Sequence, residues 1–199
     1  MAVAMGHWCS ACWRDMLIVY LAGSAIAADY YLYQSELEAS ETITEMDNWL
    51  MAAERADSLG VDVISSSLGY NKFDGGIGDY DYKDMDGNTT LVTRAADMAA
   101  AKGMLVVVSA GNEGNDPWER ITAPADGDSV LAIGGVMPDG SYVNFSSRGP
   151  TADGRIKPDV SAQALATAII SGSGPDIWQW YQFFMSHCIG PGRLSLAIQ

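Results

Sequence analysis

The stretch VVVSAGNEGN, residues 106–115, runs through β-favouring residues and then breaks at once into Ala110, Gly111 and Asn112. A buried strand that stops on a glycine turn, with an amide side chain at its tip, is one way to present a hydrogen-bond donor. A second run, VDVISSSLG, ends in the same manner on Ser67, Leu68 and Gly69. Two other groups have the residue types for chemistry. In DYDYKDMDGN, Asp84, Asp86 and Asn88 alternate as the oxygen ligands of a calcium ion would. The EF-hand pattern is not met, because Tyr82 stands at its first acid and Thr93 at its closing glutamate. The plain reading is an acidic turn capping a helix that starts near Thr90. Cys9 and Cys12, in WCSAC, imitate a redox Cys-x-x-Cys, but only eight residues precede them and no helix cap follows. With Cys188 they form neither a disulfide framework nor a zinc set, so no metal site is assigned.

The elements that would position these residues follow from periodicity. TITEMDNWLMAAERADSLG predicts a helix with Thr42 and Glu45 at capping-box spacing and Gly60 at its end. Ile43, Met46, Leu50 and Ala53 fall on one face, widened by Trp49 and Ala56. A strand is expected over 61–67, a helix over 90–102 closed by Gly103, and strands over 104–110 and 130–136. GSYVNFSS suggests a turn leading into a short strand. Strands that are apolar nearly throughout, alternating with helices, imply an α/β fold with a mostly parallel sheet covered on both faces. Loops at the carboxyl ends of such strands gather function, which places both glycine-ended stretches on one edge. Residues 16–28 have the apolar run of a signal-peptide core, but the flank before them, with Arg14 beside Asp15, is a poor positive region. A buried strand and a small-residue turn is the preferred reading there.

With 199 residues and 48% apolar content the chain has material for a sizeable core. The formal charge of −14 repels phosphate backbones, so no nucleic acid is expected as a partner. The apolar run at 16–28 is too short to span a bilayer. GNEGN is not a dinucleotide-binding Gly-x-Gly-x-x-Gly, which leaves a generic doubly wound ligand-binding domain without support.

Taken in order, SSSLGY, VVVSAGNEG, APADGDSVLAIGGV, VNFSSRGP and KPDVSA resemble the subtilisin-type serine proteases, the subtilases. The resemblance covers residues 29–174 as a partial catalytic domain, with 1–28 and 175–199 unmatched. It implies a three-layer sheet flanked by helices and incomplete at both ends. It also implies that Asn112 is the oxyanion-hole donor. Ser67, Leu68 and Gly69 would be the edge that pairs with an extended peptide or protein substrate, and Ser109, Ala110 and Gly111 the other wall of the pocket for the side chain before the cleaved bond. Small residues there imply a roomy apolar slot. Subtilases require no cofactor and often bind calcium through loop ligands, and the resemblance points to an exported protein.

The sequence also departs from the family. Its Asp, His and Ser are needed in that order, yet nothing before Asp29 resembles the aspartate segment. His7 is followed by Trp8 rather than by Gly-Thr, and Ser171 and Ser173 lack the nucleophile's flanking pattern. His187 stands in the wrong order. The expectation is a protease core without its triad and inactive alone, as a frame-shifted or misassembled reading frame would produce; the alternative is a catalytically dead domain that still binds peptides.

Overall fold

The computed structural model describes residues 28–37 and 39–165 in full, together with the backbone of five further strands. Those five are β1 (Ala2–Met5), β2 (Met16–Leu17), β3 (Leu21–Ala22), β9 (Thr167–Ser171) and β10 (Gly174–Trp178). Between them lie β4 (Tyr30–Tyr33), α1 (Thr44–Ser58), β5 (Val63–Ser66), α2 (Leu91–Ala101), β6 (Leu105–Ser109), β7 (Leu131–Val136) and β8 (Val160–Gln163). Six strands form one sheet in the order β4-β1-β5-β6-β7-β8, and every neighbouring pair in it is parallel. The start of the chain, to which the sequence assigned no element, thus supplies an inner strand. The run at 16–28 contains a small antiparallel pair, β2 with β3, rather than one continuous strand. β9 and β10 form a separate antiparallel pair.

Side-chain alternation along β6 shows why the strand reads as unbroken apolar sequence. Val106 and Val108 enter a core shared with both helices, whereas Val107 joins Ile133, Val143, Phe145, Ala162 and Ala164 on the opposite face. Both faces are covered, so no position on the strand benefits from being polar. Among the described residues α1 and α2 cover the first face, and the loop through Val143 and Phe145 covers the second at this point. The segment 137–147 forms a turn that returns through Met137 N–H to the Ser141 carbonyl, rather than the short strand expected there.

In α1 the buried stripe is Met46, Trp49, Ala52, Ala53 and Ala56. Ile43 is 39% exposed, so the stripe is rotated away from it and centred on Trp49. Trp49 is fully buried and donates its indole N–H to Ser66 Oγ at 2.9 Å, tying the helix to the last residue of β5. Of the expected capping box the glutamate half forms, with Glu45 accepting from Thr42 N–H at 2.6 Å. α2 starts on Thr90, whose hydroxyl accepts from Thr93 N–H at 3.2 Å. The Thr93 hydroxyl donates to buried Asp126 at 2.6 Å, and Gly87 N–H does so at 2.9 Å. Burial raises the Asp126 pKa, and these two bonds oppose that rise. Gly103, at φ +101°, lets the chain leave the helix and turn into β6.

Candidate active site

The carboxyl ends of β5 and β6 lie side by side, because Ser66 is in register with Val108. Residues 67–69 and 109–112 therefore leave the sheet together, and a third segment straps them. Tyr70 and Ala123 exchange backbone hydrogen bonds in both directions, at 2.9 and 3.2 Å, and Thr122 N–H reaches the Ala110 carbonyl at 3.3 Å. Ala110 N–H in turn donates to the Ile133 carbonyl of β7 at 2.9 Å. Ser67, Ser109 and Ala110 are buried, Leu68 is half-buried, and Gly69 and Asn112 are exposed.

Gly111 has φ +109°, a conformation glycine adopts without strain. Space forbids a side chain there as well, since a methyl would lie 2.7 Å from Ser147 Oγ and 2.9 Å from Thr122 Oγ1. The loop beyond is braced from below. Ser147 donates its N–H to the Gly111 carbonyl at 3.0 Å and accepts from Glu113 N–H at 2.9 Å, and Gly114 N–H reaches the Phe145 carbonyl at 2.9 Å. A methyl on Gly114 would meet the carbonyl oxygens of Ser146 and Asn144 at 2.4 and 2.5 Å. Asn112 sits at φ −116°, ψ 13°, heading the short 3-10 turn Glu113–Asn115. Its side chain is exposed, and among the described residues its carboxamide has no hydrogen-bond partner. The backbone around this amide is fixed at three points, while the amide itself bonds to none of the described residues.

Burial raises the pKa of Glu113, the next residue, and its hydrogen bond and charge contact with Asp116 raise it further. A carboxyl that keeps its proton to higher pH places less negative charge beside Asn112. On the other flank Tyr70, which follows Gly69, donates its hydroxyl to Glu36 at 2.6 Å. Burial, then the Glu36 charge, raises the Tyr70 pKa.

The acidic segment does not gather around a common point. Asp84 accepts from Asp81 N–H at 2.8 Å. Asp86 accepts from Asn88 N–H and Thr89 N–H, both at 2.8 Å, and from the Thr89 hydroxyl at 3.0 Å. Asp84, Asp86 and Asn88 serve local turns, and the plain reading of an acidic turn ahead of α2 describes them. Among the described residues the one set of three carboxylates within reach of a single ion is Glu36, Glu41 and Glu45, whose oxygens lie within 4.8 Å of one another. Glu45 is already occupied by the N–H groups of Leu37 and Thr42. Burial, then the charges of Glu45, Glu36 and Asp74, pushes the Glu41 pKa up to about 7.

Two glycine-ended strand ends lie side by side on a parallel α/β sheet, and the chain belongs to the subtilase family. The model of that family matches residues 5–184. The serine protease AprX of Bacillus subtilis (strain 168) is 34% identical over 112 residues, which is 53% of this chain and 23% of that protein. Subtilisin DY of Bacillus licheniformis is 37% identical over 97 residues, 48% of this chain and 30% of that protein. The chain therefore spans less than a third of the length of these curated relatives. Among solved structures, the self-cleaved protease domain of PatA superposes with a TM-score of 0.72 at 16% identity, covering 94% of this chain and 76% of that one. Sphericase gives 0.61 at 23% identity, covering 85% and 54%. At these identities the two structures establish the fold.

His7, Ser173 and His187, the remaining triad candidates of the sequence, lie outside the described residues, and Ser171 is described as the last residue of β9. Sequence reasoning passed over Thr122, Ser147 and the Trp49–Ser66 bond. Each acts through packing or hydrogen bonds between segments separated in the chain, which no local pattern records. No helix among the described residues is long and apolar enough to cross a membrane.

Proposed function

We propose that this chain forms the substrate-binding and oxyanion-stabilising part of a subtilase-type serine endopeptidase and does not hydrolyse peptide bonds by itself. The observation that carries the reading is the exposed carboxamide of Asn112, which has no hydrogen-bond partner among the described residues and leaves the sheet beside residues 67–69, strapped through Thr122 and Ala123. An extended peptide or protein lies along Ser67, Leu68 and Gly69 by strand addition, with Ser109, Ala110 and Gly111 opposite. As a carbonyl carbon becomes tetrahedral, the Asn112 N–H meets the negative oxygen and stabilises the transition state more than the ground state. Loss of one such donor costs subtilisin-type enzymes about 2.7–4 kcal/mol. A serine hydroxyl without a base is a poor nucleophile at neutral pH, and the histidine contexts of this sequence do not match the family's.

Fluorophosphonate labelling tests the missing chemistry. The expected result is no covalent adduct, and stoichiometric labelling of any serine would show a competent nucleophile and overturn it. The second reading, a peptide-binding domain with no catalytic role, rests on the same groove. It differs in one readout: mixing with a separately produced chain that carries the family's Asp-, His- and Ser-bearing segments and is inactive alone would restore hydrolysis in the first reading and not in the second. No cofactor is required in either reading, calcium is an optional stabiliser of the scaffold, and export follows from the character of the family.

A further inference from the structure

We propose, on the reading above in which Asn112 is the oxyanion donor, that Ser147 is its positioning residue: the Ser147 hydroxyl sets the direction in which the carboxamide leaves the loop. Two peptide units meet at the Asn112 Cα, and Ser147 holds both. The unit before it carries the Gly111 carbonyl, which accepts from Ser147 N–H at 3.0 Å. The unit after it carries the Glu113 N–H, which donates to Ser147 Oγ at 2.9 Å. A residue has only two soft backbone angles. With the planes on both sides held, Asn112 is set at φ −116° and ψ 13°, and its Cα–Cβ bond has one direction.

Of the two bonds only the second belongs to the side chain, since any residue but proline supplies the N–H of the first. Gly111 leaves room for that hydroxyl, because a methyl there would lie 2.7 Å from Ser147 Oγ. The clamp is itself rooted in the fold. Ser147 is buried, and on one side of it Ser146 Oγ accepts from Gly135 N–H of β7 at 2.9 Å. On the other side Arg148 donates its N–H to the Glu119 carbonyl at 3.0 Å, and its own carbonyl accepts from Ile121 N–H at 3.1 Å. Asn112, by contrast, is exposed and lies on a loop, where mobility is the ordinary condition. A donor already aimed costs no reorganisation when the negative oxygen forms. The hydroxyl that aims it therefore acts on that charge through Asn112, by position alone. Ser146 supplies the matched case. It is buried like Ser147 and accepts one backbone N–H at the same 2.9 Å, but that N–H is in the middle of β7, away from Asn112 in the chain.

The experiment titrates the chain with acetyl-Ala-Ala-Ala-Ala ending in a free carboxylate and with the same peptide ending in an amide, followed by backbone amide shifts. The ratio of the two affinities is taken within each protein, so a uniform loss of folded material does not move it. A carboxylate oxygen is the charged acceptor that an aimed carboxamide favours. Asn112→Ala lacks the donor and gives the baseline ratio, which already contains the repulsion of a carboxylate by the acidic chain. The wild-type ratio should favour the carboxylate about tenfold more than that baseline. Ser147→Ala should fall to the baseline, whereas Ser146→Ala, which loses a bond of the same kind, should keep the wild-type ratio. If Ser147→Ala does not fold, hydrogen exchange of the wild-type chain decides. The Glu113 amide should then exchange as slowly as that of Gly114, and exchange at the rate of an open loop would overturn the inference. A Ser147→Ala ratio equal to that of the wild type, or an equal fall in Ser146→Ala, would also overturn it while Asn112 keeps its role. A wild-type ratio no different from that of Asn112→Ala, or binding of neither peptide, would overturn the role of Asn112 and this inference together.

Discussion

The strand ends at 67–69 and 109–114 and the acidic segment at 81–89 were both candidate sites on residue type, and the structure treats them in opposite ways. In the acidic segment the carboxylates are consumed by their own fold, with Asp84 bonded to the Asp81 N–H and Asp86 to Asn88 and Thr89. At the strand ends the backbone is consumed and the side chain is not. Ser147, Phe145 and Ala123 hold the loops, and the Asn112 carboxamide is left without a partner among the described residues. A group available for chemistry is one whose support comes from elsewhere.

Substitutions that attack the supports on each side sharpen this contrast. Gly114→Ala has the largest expected effect, because its methyl would meet two backbone carbonyls at 2.4 and 2.5 Å that no rotamer can move. A loss of about 3 kcal/mol in urea unfolding is expected, with weakened binding of extended peptides. Trp49→Phe removes the indole N–H and leaves Ser66 Oγ without that bond in a buried setting. The expected cost is about 2 kcal/mol, read by the same method, with Gly69 amide shifts reporting movement of the β5 end. Asp86→Ala undoes an exposed turn and should cost about 1 kcal/mol. Peptide affinity, and the response of the melting temperature to calcium, should be unchanged; a lost calcium response would return an ion to this segment.

The smallest effect expected is a pH dependence from Glu41. Its pKa is raised from 4.5 to about 7 in the folded chain, by burial and by the charges of Glu45, Glu36 and Asp74. The folded state then holds a proton that the unfolded state has released, so the contribution is fully present below pH 4.5 and is lost as pH rises to about 7. Water screening at this half-buried position reduces its size. Urea midpoints measured across that window should fall with pH, and Glu41→Gln should flatten the slope.

Much of the scaffold was legible because its strands are apolar on both faces and its helices carry explicit ends. Thr90 capping α2, Gly103 after it and the breaks at Gly69 and Gly111 all act within a few residues, where sequence pattern has information. The buried stripe of α1 was misplaced at Ile43 because periodicity gives a face only to within about one residue, and the depth of Trp49 settled it. β1 was not legible, since four residues of Ala, Val and Met carry no signal until a sheet offers them a place. Thr122 was not legible either. Its importance comes from two glycines, one more than fifty residues before it in sequence, both turned toward its side chain.

The most direct test of the central claim is a residue-resolved NMR titration of the chain with acetyl-Ala-Ala-Ala-Ala-amide. The largest shifts should fall on the backbone amides of Leu68, Gly69 and Gly111 and on the side-chain amide of Asn112. Shifts confined to other surfaces, with the Asn112 carboxamide unmoved at saturation, would contradict it.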